Sequence, residues 1–461
     1  MAIQTINPFN NELVENFQEI PLESVTANIA IADKTFKSWR KTSFAQRADL
    51  LKGVAKLMRE QSDQLARLIT LEMGKLLAQS YGEISLSAAI FDYYAVNGES
   101  FLRDENLDTQ YGEAYIKYSP IGVLLGVETY NFPFYQVARF TAPNLMAGNV
   151  VLIKHASNVP QCALAIQDLF MQAGAPKGLY TNLFICSTKV EGIVADPRVK
   201  GVSLTGSRTP GASVAATAAG KYLKKVVLEL GGIDTFIVLE DADIDKAVEW
   251  VVIGRMNNRC QCSLAAKRII ALEAVAEEFL QKFTAKLKAL KVGDPMDEST
   301  GLGPLSSEGA VIKLIEQVQR SVRAGAKVLL GGKLINRKGA FIEATILGNV
   351  KPGMVAYDEE LFGPVASFYT AKNDQEAIDL ANDSAFGLGG NIFTSDIERG
   401  KRLAEQIDTA LVFINHPTCT PLDLPFGGTK ESGYGRELAS VDIREFVNKK
   451  LIRITKLTDL F

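Results

Sequence analysis

The strongest constraint on this chain is the regular alternation of short apolar strands with helical stretches after residue 120. Strand candidates are GVLLGV (122–127), NVVLIK (149–154), LYTNLFIC (179–186), VKGVSLT (199–205) and TFIVLE (235–240). Between them, YQVARFTAPNLMAG and CALAIQDLFMQAG carry helical period and end in glycine. That rhythm predicts a parallel, doubly wound sheet with helices on its faces. A second series follows from about 247: KRIIAL, EEFLQKFTAKLKAL, VIKLIEQVQRSVRAG, KVLL, EAIDLAN, GNIFT, ERGKRLAEQI and ALVFIN. The first hundred residues read as helices, with Ser43 and Gln46 spaced as a capping box. LDTQYGEAYIKYSP reads as a hairpin and FVNKKLIRITKL as a closing strand. The 461 residues therefore divide into two doubly wound α/β domains plus a small hairpin-and-tail element.

Charge and cysteine content remove whole classes of function. Fifty basic against 53 acidic residues give a net charge of −3, which offers nothing to nucleic acid or an anionic membrane. MAIQTINPFNNELVENF lacks the basic and apolar regions of a signal peptide, and no apolar run nears the ~18 residues of a membrane span. Five scattered cysteines fit a reduced, cytoplasmic protein. His155 and His416 lack nearby acidic or cysteine partners, and Cys260-x-Cys262 is too short for zinc spacing, so no metal is expected.

Individual motifs are weak. Gly206 and Gly211 stand in a G-x4-G turn between a strand and a helix, where bare backbone N–H groups reach a phosphate. An ordinary strand–turn–helix joint has the same pattern. Lys154 ends a strand, where ligands of open α/β sheets bind, and Ser157 follows without charge. Glu229 precedes Leu-Gly-Gly and has the character of a general base or a solvated strand end. Asn131 offers an amide to an oxyanion, or fills a turn before Pro133.

In order along the chain, TYNFP, LIKHAS, LTGS, LELGG, NNRCQCS, EELFGPV and PFGGTKESGYGRE resemble the NAD(P)-dependent aldehyde dehydrogenase superfamily over nearly the entire length. INPFNNE, YNFPFYQVARF and KHASNVP narrow the resemblance to bacterial succinate-semialdehyde dehydrogenases. The resemblance implies a dinucleotide-binding domain (1–103 with 121–230), a catalytic domain (231–442) and an oligomerisation element (104–120 with 443–461). It implies a homodimer or homotetramer acting on a small aldehyde. In that family a cysteine thiolate adds to the aldehyde, and an asparagine amide and a backbone N–H hold the oxyanion. Hydride passes to the nicotinamide, and a glutamate activates the water that hydrolyses the thioester. By motif, Asn131 takes the oxyanion role and Glu229 the base role. Lys154, Ser157, Gly206, Ser207, Glu360 and Phe362 match cofactor-contact positions. Arg139 matches the holder of the substrate's distal carboxylate. Uncharged Ser157, where NAD-preferring members tend to carry a carboxylate, implies NADP rather than NAD.

One position departs. Laid without gaps on the family pattern, Asn258-Arg259-Cys260-Gln261-Cys262-Ser263 puts serine where the nucleophilic cysteine belongs, 34 positions after Glu229. A hydroxyl needs a strong adjacent base and makes a poorer acyl leaving group than a thiol, so little turnover is expected. Three explanations stand: an engineered ligand trap, a degraded homologue, or Cys262 entering the role, its thiol tuned by Arg259. Cys260 replaces a glycine in a loop that calls for positive φ. Thr129-Tyr130 replaces the usual Pro-Trp, and Cys419 stands where an aromatic is common.

Overall fold

The structure is a computed structural model that describes residues 3–110 and 112–458. The first α/β unit is built on a six-stranded sheet. Its strands are β5 (Val123–Val127), β6 (Val150–Lys154), β7 (Tyr180–Asn182), β8 (Val199–Thr205), β9 (Lys225–Glu229) and β19 (Gly433–Tyr434), in the order β19-β9-β8-β5-β6-β7. All neighbours are parallel except β19, which runs antiparallel to β9 with Gly433 opposite Glu229. β6 is buried along its whole length, as expected for a parallel strand covered on both faces.

The second sheet has seven strands. They are β10 (Thr235–Val238), β11 (Arg268–Leu272), β12 (Lys327–Leu330), β13 (Thr345–Gly348), β14 (Val365–Ala371), β16 (Gly389–Phe393) and β17 (Leu411–Ile414), ordered β12-β13-β14-β11-β10-β16-β17. Here β12 is an antiparallel edge, so neither sheet is wholly parallel. Two short strands, β15 (Phe386–Gly387) and β18 (Thr429–Lys430), pair separately.

The hairpin read in the sequence is β3 (Glu105–Leu107) against β4 (Glu113–Pro120), and β20 (Val447–Ile454) adds to β4 antiparallel. The amino-terminal helices are α1 (Leu22–Trp39), α2 (Phe44–Glu60), α3 (Ser62–Met73) and α4 (Leu77–Phe101). Ser43 and Gln46 close the capping box on α2. Before them, however, β1 (Ile3–Asn7) and β2 (Glu12–Phe17) form a hairpin the helical reading passed over. The β2 strand exposes most of its residues, so no alternation of apolar side chains announced it.

Register positions the chemistry. Val127 is level with Lys154 and Leu204, and Thr205 with Glu229, so all these strand ends lie on one edge of the first sheet. That carboxyl edge is where open α/β sheets bind ligands. No helix among the described residues is long and apolar enough to cross a membrane.

Candidate active site

A cavity of about 1040 Å³ opens at this edge, at the upper end of the usual range for small-ligand sites. Asn131, Arg139, Glu229, Cys262 and Ser263 all line it. So do the expected cofactor positions Gly206, Ser207, Glu360 and Phe362, together with Cys419. Lys154 and Ser157 are not among the lining residues. Lys154 still ends β6 at the same edge, where burial pushes its ammonium pKa down.

Glu229 owes its place to the end of β9. Its side chain is 2 % exposed, and neither carboxylate oxygen has a hydrogen-bond partner. Burial pushes its pKa well above the usual carboxylate range, and Glu437 adds to the rise while Arg139 opposes it. The loop of β18 and β19 closes over it. Gly427, at φ +155°, sits where a Cβ would fall 2.8 Å from Glu229 Oε1. The glycine is thus required by the approach of the acid. Ser263 comes close to the turn after β9, because a Cβ on Gly232 would lie 3.0 Å from the Ser263 carbonyl oxygen.

Asn131 lies in the turn before α5 (Tyr135–Ala147). Its Oδ1 accepts from Gln136 Nε2 at 2.7 Å, which aims Nδ2 at the nucleophile segment, where it donates to the Gln261 carbonyl at 2.9 Å. Asn258 Nδ2 reinforces that tie by donating to the Asn131 carbonyl at 2.7 Å and to the Gln261 carbonyl at 3.0 Å. The sequence quoted Asn258 only as part of a pattern; its structural task was not legible.

Residues 258–260 carry three successive left-handed backbones: Asn258 at φ 49°, Arg259 at 51° and Cys260 at 61°. The positive φ expected at 260 is therefore present, on a residue with a Cβ. Cys260 is fully buried, packs its Sγ on the Arg255 carbonyl, and burial pushes its thiol pKa up to about 11. Cys262 faces the cavity instead. Burial raises its thiol pKa, against the pull of Lys267 and the Leu264 N–H. Lys267 Nζ donates to the Cys262 carbonyl at 2.9 Å and the Ser263 carbonyl at 2.7 Å, and pairs with Glu360 at 3.0 Å. Lys267 is thus a residue of the site that the sequence reading did not single out, although it opens the KRIIAL strand candidate.

Arg139 reaches the cavity but is already engaged. Its Nε forms an ion pair with Glu437, Nη1 donates to Tyr135 Oη at 3.3 Å, and Nη2 donates to Thr205 Oγ1 at 3.1 Å. The guanidinium lies 4.6 Å from the Phe426 ring centre. Glu437 and Glu128 are the other unanticipated residues. Glu128 follows β5, is 3 % exposed with both oxygens unpartnered, and burial raises its pKa to about 8.

The residues present fit a phosphorylated dinucleotide. Gly206 and Ser207 open α6 (Arg208–Ala215) on the cavity wall, and the Ser207 side chain makes no cap bond of its own. The Lys154 ammonium has no hydrogen-bond or ion-pair partner among the described residues. No group of three or more His, Cys, Asp or Glu side chains among the described residues is placed to hold a metal.

Comparison with known proteins agrees with this geometry. Residues 1–452 match the model of the aldehyde dehydrogenase family. A succinate-semialdehyde dehydrogenase, NADP(+), of Deinococcus radiodurans is 48% identical over 449 residues, covering 97% of this chain and 94% of that protein. Succinate-semialdehyde dehydrogenase, NADP(+), 1 of Mycobacterium tuberculosis is 46% identical over 457 residues, covering 98% and 100%. The crystal structure of succinic semialdehyde dehydrogenase from Streptococcus pyogenes with NADP+ superposes with a TM-score of 0.97 at 41% identity, covering 99% of this chain and 100% of that one. With its acid, its amide and its nucleophile segment around one cavity and its full length matched, the chain belongs to the aldehyde dehydrogenase family.

Proposed function

We propose that the chain is an NADP-dependent succinate-semialdehyde dehydrogenase scaffold whose turnover is held down by Ser263. The observation that carries this reading is the unpartnered Glu229 carboxyl, buried at a cavity that Asn131 and Ser263 also line. The substrate and cofactor rest on the relatives that share nearly the whole length.

Asn131 Nδ2 and a backbone N–H of the nucleophile segment hold the oxygen of an aldehyde that residue 263 attacks. The bound dinucleotide supplies a hydride acceptor. Gly206, Ser207, Glu360 and Phe362 hold it on the cavity side, with Lys154 and Ser157 at the sheet edge. Glu229, once ionised, takes a proton from the hydrolytic water. Arg139 meets the distal carboxylate. Residues 1–103 with 121–230 serve the dinucleotide, 231–442 carry the nucleophile, and 104–120 with 443–461 mediate homodimer or homotetramer assembly in the cytoplasm. Within this division, β19 crosses from the catalytic span into the dinucleotide sheet.

The test is Ser263→Cys, assayed for NADP reduction with succinate semialdehyde. At least about a 10³-fold gain in kcat over the parent chain is expected. A variant that binds NADP, seen as a thermal shift, but stays inactive would leave only a nucleotide-binding homologue. A second reading has its own observation: Cys262 lines the cavity under the pull of Lys267 and the Leu264 N–H. Parent activity abolished by Cys262→Ala would transfer the nucleophile to that residue.

A further inference from the structure

The guanidinium that would meet a substrate carboxylate is shared in advance. Arg139 is 3 % exposed and forms an ion pair with Glu437, itself 2 % exposed. Thr205 Oγ1 accepts from Arg139 Nη2 at 3.1 Å, and the Arg139 charge also acts on the unpartnered Glu128 carboxyl. Glu229 is the third buried acid in the group. Arg139 thus acts on all three carboxyls away from water, with Arg436 a lesser pull on Glu229. The surroundings of Glu437 add little positive charge. Arg139 and Tyr135 face it from α5, Glu128 from the end of β5, Ser203 from β8, Glu229 from β9 and Tyr94 from α4. Asp442 and Glu445 face it from the following chain.

A further carboxylate brought against this pair would leave two anions on one guanidinium in a desolvated site. Two carboxylates so placed do not both stay ionised; one takes a proton. Burial holds Glu128 and Glu229 above the usual carboxylate range and raises Glu437 as well, but only Glu437 is in a direct ion pair with Arg139, so it is the ionised member available to accept.

Resting on the succinate-semialdehyde reading, we propose that an aldehyde bearing a distal carboxylate enters this cavity with one proton from solvent, which bonds to a Glu437 oxygen as Arg139 passes to the incoming carboxylate. Glu437 is a positioning residue: ionised, it holds Arg139 in the empty site, and protonated, it yields the guanidinium without leaving the site overcharged. Uncharged aldehydes of the same length bind without this exchange.

Ser263 makes the measurement direct, because binding can be followed with little chemistry. Succinate semialdehyde is titrated calorimetrically into the parent chain saturated with NADPH, in Hepes and in Tris at pH 7 and 8. Uptake approaching one proton per aldehyde is expected, with affinity falling up to about tenfold per pH unit. Butanal shows neither effect. Glu437→Gln removes the uptake and flattens the pH dependence; if that variant does not fold, the parent titrations decide alone. Succinate semialdehyde binding tightly with no proton uptake overturns the inference and leaves the substrate reading intact. Binding no tighter than butanal overturns the substrate reading, and the inference with it.

Discussion

Two walls of one cavity bury charge with opposite sign. On the wall formed by the ends of β5, β8 and β9, the acids Glu128, Glu229 and Glu437 gather around the Arg139 guanidinium. On the wall carrying the nucleophile segment, Lys75, Arg255, Arg259 and Lys267 are buried with Glu83 and Asp234, and half-buried Glu360 pairs with Lys267. The acid wall is regular in part: Glu128 and Glu229 extend from strand ends fixed by the ladder, while Glu437 comes from the loop that covers them. The cationic wall is irregular, with three left-handed residues in sequence. The difference teaches how each wall is held: strand register fixes Glu128 and Glu229, whereas the segment 258–263 depends on left-handed backbone and on side-chain hydrogen bonds such as those of Asn258.

The largest expected effect is on the acid wall. Glu229→Gln, made in the Ser263→Cys background, should cut steady-state turnover by about 10²–10⁴-fold while a first burst of NADPH survives in stopped flow. Unchanged steady-state turnover would remove Glu229 from hydrolysis.

Next come stabilities, in which the two walls should titrate in opposite directions. Glu128 holds its proton in the folded chain up to about pH 8 against an ordinary 4.5. Unfolding releases that proton, so its effect on stability falls as pH rises from about 4.5 to 8 and is then constant. Glu128→Gln should match the parent near pH 4 and exceed it at pH 9, by at most about 5 kcal/mol in urea melts. Arg259 runs the other way. Burial lowers its pKa to about 9, so the folded chain gains relative stability as pH rises past that point. Its Nε and Nη1 have no hydrogen-bond partner. Arg259→Met should therefore stabilise by about 1–4 kcal/mol at pH 7, the advantage shrinking above pH 9. Parallel pH profiles for the two variants would break the comparison.

The smallest effect concerns the two thiols of the cationic wall. Under brief iodoacetamide treatment at pH 8, mass spectrometry should find label on Cys262 and none on Cys260, whose thiol is buried and raised to about 11. Label on Cys260 first would place its side chain in the cavity.

Much of this was legible from local pattern. The parallel strands announced themselves as apolar runs bounded by glycine, and Asn131, Glu229 and Ser263 were found through motif order and do meet at one cavity. What escaped was pairing over long sequence distance. Nothing near Arg139 signals that its partner is Glu437, and nothing near Gly433 signals that it will lie beside Glu229. Glu128 follows an apolar strand, and nothing local marks it as a buried acid. The β1–β2 hairpin escaped because an exposed strand has no apolar face to read.

The segment from Gly427 to Glu437 has a consequence for biosynthesis. It covers Glu229, supplies the strand beside it and provides the counter-ion of Arg139. On a ribosome these residues emerge hundreds of positions after the helix and strands they complete. Until they arrive, Glu229 lacks that cover, and Arg139 lacks its carboxylate. Maturation of the pocket is thus a late event in translation, and a nascent chain stalled before residue 427 would hold both sheets' earlier strands yet have no acid tuned for chemistry.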